Sequence, residues 1–164
     1  MDKVKIKLVH GQCKVPAKQT EHASGYDAYV RNYTITPDGL VIYYLGFYTE
    51  IPPHMEGIIA ARSSITNTQW VMPNGFGLID SDYRGEWQFR LRFVPTNEDL
   101  KHHNFQVSKR HIPYDRGDRC CQIFFREKTN VEFSIVDGTN DDLDHPEGLS
   151  KTSRQGGFGS TKNN

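Results

Sequence analysis

Residues 86–93 read Glu-Trp-Gln-Phe-Arg-Leu-Arg-Phe, so that polar and apolar side chains alternate through the whole stretch. Successive side chains of a β-strand point to opposite faces, and this period therefore predicts a strand with one face in a core. The four apolar residues would point inward, and the polar residues between them would point the other way. No window of a dozen residues repeats every 3.6 positions, which indicates that strands dominate the fold.

Other short runs of β-forming residues extend this pattern on both sides. Strands are predicted at residues 4–9, 40–44, 47–51, 57–61, 76–79, 120–125 and 131–135. Turn sequences separate them, with Pro-Asp-Gly at 37–39, Pro-Asn-Gly at 73–75 and Arg-Gly-Asp at 116–118. At most one or two helical turns are expected after Arg62. Many short strands with frequent turns predict an all-β antiparallel sandwich or a barrel-like jelly roll.

The overall composition excludes several classes of protein. Among the 164 residues, 20 Lys and Arg balance 20 Asp and Glu. A nucleic-acid coat or a polybasic membrane binder relies on excess positive charge, so neither fits. The three cysteines, an odd number, do not suggest a secreted disulfide framework. No signal peptide and no run of about 20 apolar residues is present, so a cytoplasmic, intracellular protein is expected.

The chain is predicted to consist of a β-domain and an arm. Residues 1–136 carry the strand signals, and residues 95–115 interrupt them with a polar, histidine-containing surface excursion. Residues 137–164 are acidic, then rich in Ser and Thr, with no apolar face to bury. They lead into the sequence GGFGST at 156–161, and such an arm is expected to be mobile when nothing is bound.

The densest chemical signal is Gly-Leu-Ile-Asp-Ser-Asp-Tyr-Arg-Gly-Glu at residues 77–86. Apolar residues bring the chain to Asp80, a polar turn follows, and Gly85 lets the chain return into the alternating strand. A carboxylate held rigidly and partly desolvated at a strand end can orient and deprotonate a water molecule. Taken alone, Asp80 fits equally well as a residue that caps the turn.

Two further segments carry groups suited to phosphate. Arg62-Ser63-Ser64 offers a planar guanidinium and two hydroxyls, although by itself it fits better as a strand-to-helix junction with Ser as the N-cap. The glycines of GGFGST let backbone N–H groups approach phosphate oxygens. A flexible tail is the alternative, but an exposed Phe158 among glycines is unexplained by a tail and could stack on a base.

In order along the chain, five segments resemble the five motifs of the trimeric dUTPase family. They are SGYD at 24–27, ARSSIT at 61–66, GLIDSDYRGE at 77–86, GDRCCQ at 117–122 and RQGGFGST at 154–161. The resemblance runs from about residue 4 to residue 161. It implies a distorted jelly-roll subunit, a homotrimer with active sites at the subunit interfaces, and hydrolysis of dUTP to dUMP and pyrophosphate.

The resemblance also implies a role for particular residues. Asp80 matches the carboxylate that activates the water attacking the α-phosphate, and Tyr83 matches the aromatic ring packed under deoxyribose. Asn74 matches a residue that contacts uracil, and Leu78, Ile79 and Gln88 fall where the base pocket is lined. A tight pocket of this kind excludes the thymine methyl group by its size.

The remaining matches concern the triphosphate. Phosphate contacts from a neighbouring subunit are implied for Arg62, Ser63, Ser64 and Gln122. Asp27 matches a carboxylate that reaches Mg²⁺ through water, the ion being held otherwise by the triphosphate. In the arm, Phe158 would stack on uracil while Arg154, Gly159, Ser160 and Thr161 bind the γ-phosphate.

Three departures from the family pattern are visible. Arg154 lies four residues before Phe158, whereas the family usually has five. Cys120-Cys121 replaces a small aliphatic pair and is expected to fill a buried strand. The 95–115 excursion is longer than the family needs and leaves open a neutral insertion or a site for a protein partner. Two other functions stay open: a regulatory, partner-binding protein of this fold, and a dCTP deaminase, which shares the fold and the Arg-Ser-Ser segment.

Overall fold

A computed structural model describes residues 2–101 and 112–135. Contacts group the chain into two units, Met1–Lys128 and Thr129–Asn164, and the first unit carries the secondary structure of the described ranges. Its ten strands are β1 (Lys5–Leu8), β2 (Tyr26–Tyr29), β3 (Asn32–Ile35), β4 (Leu40–Tyr44), β5 (Phe47–Glu50), β6 (Met55–Ala61), β7 (Trp70–Val71), β8 (Phe76–Ile79), β9 (Gln88–Phe93) and β10 (Arg119–Glu127). A 3₁₀ helix spans Ser63–Asn67, and a single α-helical turn, α1, spans Asn97–Leu100.

The strands form antiparallel sheets, as the sequence predicted. One four-stranded sheet has the order β2-β10-β6-β8, and the other has the order β3-β4-β9-β7. A third sheet pairs β1 with β5. The architecture is the all-β jelly roll expected from the many short strands, and none of the helices found within the described ranges is long and apolar enough to cross a membrane.

The alternating strand forms the centre of the core. In and just before β9, Trp87, Phe89 and Leu91 are fully buried, whereas Arg90 and Arg92 are exposed. The indole Nε1 of Trp87 donates a hydrogen bond of 2.9 Å to the hydroxyl of Thr49, so its one polar group is satisfied in the interior. The predicted orientation of this strand is confirmed.

The cysteine pair is buried in β10, as expected. Cys120 and Cys121 have no exposed surface, and their sulfur atoms lie 3.9 Å apart without a disulfide. Burial raises the pKa of the Cys121 thiol well above its ordinary value, and the neighbouring Cys120 raises it further. The pair therefore fills the interior of the sheet with two small side chains.

Three strands were not predicted, and one predicted strand is absent. β2 and β7 are short or interrupted by a polar residue and carry little strand signal, whereas β3, Asn-Tyr-Thr-Ile, consists mostly of β-forming residues and was overlooked. Residues 131–135 alternate but form no strand, and their apolar side chains are exposed, with Phe133 at 89%. A strand needs a hydrogen-bonded neighbour, and these residues have none among those that the structure describes.

Both ends of the polar excursion are built into the first unit. Thr96 and Asp99 form a capping box at the start of α1, with each side chain accepting a backbone N–H of the other. At the far end, Tyr114 packs edge-on against Tyr43 with the ring centroids 5.9 Å apart. Residues 102–111 between these anchors lie outside the described ranges, as do residues 136–164 with the arm.

Gly57→Ala tests the packing of the core. A β-carbon at Gly57 in β6 would lie 2.6 Å from the Trp87 ring, so the large indole must move. We expect a loss of about 2 kcal/mol in the free energy of unfolding, the usual cost of overpacking a core. Urea denaturation measures it.

Gly77→Ala is the matched control. Gly77 lies in the neighbouring strand β8, and a β-carbon there would meet Ile59 at 3.5 Å, an ordinary contact. Its stability should stay close to that of the unmodified protein. Equal losses in the two variants would contradict the packing described around Trp87.

Candidate active site

A buried carboxylate organises one end of the first four-stranded sheet. Asp27 in β2 is only 2% exposed, and both of its carboxylate oxygens have partners. Nη1 of Arg119 donates to Oδ2 at 3.1 Å, Nε2 of Gln122 donates to Oδ1 at 3.2 Å, and Nε of Arg62 lies 3.6 Å from Oδ1. These four residues are called the Asp27 cluster below.

Sheet register explains why the cluster forms. Gln122 in β10 lies opposite Asp27 in β2 on one side and opposite Ala60 in β6 on the other. Arg62 leaves β6 two residues later, on the same side of the strand as Ala60, and its Nη1 also donates to the carbonyl of Arg119 at 3.0 Å. Three neighbouring strands thus deliver the side chains to one place.

The cluster carries a net positive charge. Two guanidinium groups face one carboxylate, and the side chain of Arg119 is 42% exposed while that of Arg62 is 24% exposed. An anion approaching from solvent would meet donors that Asp27 already holds in position. Arg119 was not singled out from the sequence, although it lies within the quoted GDRCCQ segment. Its place beside Asp27 follows from the pairing of β2 with β10.

Ser63 and Ser64 stand next to this cluster in sequence. Both are exposed in the 3₁₀ helix, and the N-cap is Arg62, with no side-chain capping bond. The interpretation of this segment as an ordinary junction capped by Ser is therefore wrong, because the chain reaches Arg62 in an extended conformation and the helix starts without a hydroxyl acceptor. The two hydroxyls are left facing solvent.

The segment of residues 77–86, which leads from β8 to β9, carries the predicted base and is called the hairpin below. It joins two different sheets, so its two sides do not form a paired β-ladder. Asp80 follows the last residue of β8, and its carbonyl accepts the N–H of Tyr83 at 3.1 Å, which closes the turn. Its carboxylate is exposed in the single chain rather than partly desolvated as expected, because no element of this chain packs over it among the described residues. Arg84 stiffens the turn by donating to the carbonyls of Ser81 and Tyr83.

The Tyr83 side chain packs against the backbone at Gly85, on the side of the hairpin that leads into β9. Its hydroxyl donates to the carbonyl of Glu86 at 3.2 Å, and a β-carbon on Gly85 would lie 2.2 Å from the hydroxyl oxygen. Only glycine permits so close an approach of ring and backbone. The ring is thus placed by Gly85 and Glu86 together, and Tyr83 remains 39% exposed.

The residues expected around a base are spread over both sheets. Leu78 is exposed and Ile79 half-buried in β8, and Asn74 is exposed in the turn before it, where Gly75 has a φ of 69°. Gln88 lies in β9, in the other four-stranded sheet, and its Oε1 accepts Nη2 of Arg90 at 2.8 Å. Asn74 and Asp80 lie at opposite ends of β8, so the single chain does not bring all these residues together.

The Asp27 cluster and Asp80 are also separated within one chain. β6 and β8 are antiparallel, with Ala60 opposite Phe76 at the end near Arg62. Asp80 lies four residues beyond Phe76, which at about 3.3 Å per residue places it about 13 Å further along the strand. Within one chain, Asp80 and the Arg62 guanidinium are therefore too far apart to contact the same phosphate group.

Within the described ranges, no group of three or more His, Cys, Asp or Glu side chains could hold a metal ion. The chemistry of the Asp27 cluster agrees with this, because its single carboxylate already faces two guanidinium groups. Arg154, Phe158, Gly159, Ser160 and Thr161 lie outside the described residues.

Comparisons with known proteins add the family context. The sequence pattern of the dUTPase family matches residues 12–154. A deoxyuridine 5′-triphosphate nucleotidohydrolase of Helicobacter pylori strain P12 is 31% identical over 162 residues, which cover 97% of this chain and 96% of the relative. The enzyme of the same name from Yarrowia lipolytica is 32% identical over 160 residues, covering 96% of this chain and 88% of the relative.

Solved structures show the same fold at lower identity. The dUTPase of Staphylococcus bacteriophage 80alpha with dUPNHPP superimposes with a TM-score of 0.72 over 99% of both chains, at 18% identity. The dUTPase from phage phi11 of S. aureus, described with a structural Mg(II) ion, gives 0.66 over 84% of this chain and 99% of that one, at 16% identity.

Asp27→Asn tests the cluster without changing its shape. The amide keeps the size of the side chain but loses the charge, which leaves two neighbouring guanidinium groups uncompensated. We expect a loss of about 2 kcal/mol in the free energy of unfolding, less than for a fully buried pair because both arginines reach solvent. Urea denaturation at neutral pH measures it.

Asp38→Asn provides the control. Asp38 also pairs with an arginine, Arg92, but the pair is solvent-exposed, so its removal should change stability far less. If the two variants lost equal stability, the Asp27 cluster would be no more than another surface ion pair.

Proposed function

The chain belongs to the dUTPase family, and on that premise we propose that it hydrolyses dUTP to dUMP and pyrophosphate at sites shared between subunits of a homotrimer. The observation that carries the proposal is the hairpin of residues 77–86. It sets the Asp80 carboxylate at a strand end, three residues from a tyrosine ring that Gly85 and Glu86 hold in place.

Asp80 is proposed as the general base. Its carboxylate accepts a proton from a water molecule, whose oxygen then forms a bond to the α-phosphorus. The bond from that phosphorus to the oxygen bridging to the β-phosphate breaks, and pyrophosphate leaves with the bonding electrons. Phosphoryl chemistry of this kind depends on alignment and charge neutralisation, and a fixed hairpin supplies the alignment.

The phosphate side is proposed to come from the Asp27 cluster of a neighbouring subunit. Arg62, Arg119 and Gln122 present donors, and the exposed hydroxyls of Ser63 and Ser64 adjoin them. The distance between this cluster and Asp80 in one chain supports a shared site. The exposed Phe76 and Leu78, two residues apart on β8, also support an interface, because exposed apolar side chains gain from burial.

Mg²⁺ is proposed to arrive with the triphosphate as part of the substrate. The described residues do not fit a resident metal site, since Asp27 is buried between two arginines. Mg²⁺ bound to the triphosphate neutralises part of its charge. Asp27 holds the arginines that contact the same phosphates, and a contact from Asp27 to the ion would have to pass through water.

Selection of the nucleotide is proposed to lie in the hairpin. The Tyr83 ring would pack under the deoxyribose and leave no room for a 2′-hydroxyl. Asn74, Leu78, Ile79 and Gln88 would line the base, once a neighbouring subunit completes the pocket. The arm would then close with Phe158 on uracil and with Arg154, Gly159, Ser160 and Thr161 on the γ-phosphate.

An intracellular location is also proposed. It is supported by the three free cysteines, which agree with the reducing interior of a cell.

Asp80→Asn tests the chemical step. The amide cannot accept the proton, so kcat for dUTP should fall on the order of a thousandfold while the affinity for a non-hydrolysable dUTP analogue is retained. Pyrophosphate release measures kcat, with dTTP, dCTP and UTP assayed alongside dUTP. Turnover of the variant within a few-fold of the unmodified enzyme would exclude Asp80 as the base, and ammonia release from dCTP would favour the deaminase alternative.

Mixed trimers test the shared site. Asp80→Asn and Arg62→Gln subunits, each expected to have little activity alone, are co-expressed with different affinity tags and purified through both. In a mixed trimer, at least one interface pairs the unmodified Asp80 of an Arg62→Gln subunit with the unmodified Arg62 of an Asp80→Asn subunit. That site is complete, so activity should return in the mixed sample. Light scattering should give the mass of three chains. A mixed sample as inactive as its parents would show that each chain carries its own complete site.

A further inference from the structure

A partly buried ion pair joins the end of the tyrosine hairpin to Arg31, and its side chains have no part in the function proposed so far. Nε of Arg31 donates to Oε1 of Glu86 at 2.9 Å, and its Nη2 donates to Oε2 at 2.8 Å, so the pair is bidentate. The side chains are only 25% and 14% exposed. A two-point contact of this kind fixes direction as well as distance.

The pair is tied to the core on both sides. Oε1 of Glu86 also accepts the backbone N–H of Gly46 at 2.8 Å, in the turn between β4 and β5. The guanidinium of Arg31 lies 5.7 Å from the centre of the Tyr44 ring, which limits its movement. Gly46 itself cannot carry a side chain, because a β-carbon there would lie 2.7 Å from the sulfur of Cys13.

Glu86 links this anchor to the tyrosine. Its side chain binds Arg31 and Gly46, and its backbone carbonyl accepts the hydroxyl of Tyr83. The next residue, Trp87, is fully buried in the core, and the preceding Gly85 lies against the Tyr83 ring. Glu86 is thus the residue at which the hairpin meets the buried strand. Its carbonyl is held from two sides: the N–H of Trp87, in the same peptide group, donates to the carbonyl of Phe47 at 3.1 Å, and the Glu86 side chain is bonded to Arg31 and Gly46.

We propose that the Arg31–Glu86 pair is a specificity-determining positioning element, which holds the Tyr83 ring where it excludes a 2′-hydroxyl. The inference rests on the proposed function, since it assigns the sugar to Tyr83. Arg31 and Glu86 do not touch the substrate in this scheme. They act through the hydrogen bond from the Tyr83 hydroxyl to the Glu86 carbonyl.

Arg31→Gln tests the element by its effect on selectivity. Loosening the ring admits UTP, so the ratio of kcat/KM for dUTP to that for UTP should fall roughly tenfold, since small displacements in a site change rates by that order or more. A general loss of folded protein would lower both values equally and leave the ratio unchanged. Arg31→Lys keeps the positive charge but cannot make the two-nitrogen contact with the carboxylate, so it should give a dUTP-to-UTP ratio between those of Arg31→Gln and the unmodified enzyme.

Arg92→Gln is the matched control. Arg92 also pairs with a carboxylate and lies on the polar face of β9, but it contacts Asp38 and lies at the far end of the strand from the hairpin. Its ratio should equal that of the unmodified enzyme. Glu86→Gln is the second variant in case Arg31→Gln does not fold, and it should lower the ratio in the same direction.

A double variant tests whether the effect passes through Tyr83. Tyr83→Phe removes the hydroxyl that bonds the Glu86 carbonyl, so adding Arg31→Gln to it should change the ratio little further. If the two substitutions instead changed the dUTP-to-UTP ratio by factors that multiply, the effect of Arg31 would not pass through Tyr83, and that part of the proposal would be wrong. An unchanged ratio in both Arg31→Gln and Glu86→Gln, with the unmodified enzyme still selecting dUTP, would overturn the positioning role alone. An unmodified enzyme that does not distinguish dUTP from UTP would overturn the sugar selection by Tyr83 as well.

Discussion

The antiparallel register of β6 against β8 is the constraint on which the arrangement of the site depends. Backbone hydrogen bonds set Gly57 opposite Ile79 and Ala60 opposite Phe76, and a slip of one residue would turn every side chain of β8 to the other face. This register makes Arg62 leave the sheet at one end and Asp80 at the other. In the proposed enzyme, a threefold assembly brings the Asp80 end of one subunit to the Arg62 end of the next. A single chain therefore contributes only one part of any one site.

Charge is used differently near the proposed site and elsewhere. The Asp27 cluster and the Arg31–Glu86 pair are partly buried, and each holds a donor group or a ring beside one of the sequence motifs. The pairs Lys5–Glu50 and Arg92–Asp38 are solvent-exposed. Partly buried pairs contribute little net stability, because desolvation offsets their attraction, but they fix geometry well. The partly buried pairs therefore serve to position the groups they hold rather than to stabilise the fold.

The core strand supports the hairpin as well as the fold. Trp87 is fully buried, hydrogen-bonded to Thr49 and packed against Gly57, while its neighbour Glu86 ends the hairpin. The rigid core thus begins one residue after the segment that must be placed to within a fraction of an ångström. This is the arrangement expected of a functional loop carried on a rigid scaffold.

By itself the sequence determined the elements whose signal is local. The alternation of residues 86–93 predicted the face of β9, the turn sequences predicted where strands end, and the order of five motifs predicted the family. Period and turn chemistry depend on neighbours in the chain, so a single sequence carries them. Two segments show the limit of such signals. The strand β2, which contains the buried Asp27, was not predicted, and residues 131–135 were predicted as a strand but form none.

Only the tertiary structure decided which distant residues meet. The pairing of Arg119 with Asp27, the anchoring of Glu86 by Arg31 and the separation of Asp80 from Arg62 are contacts or distances between residues far apart in sequence. They follow from sheet register and from the closure of long loops. No local pattern of side chains encodes these, because the same residues could pair in another register until the whole core is packed.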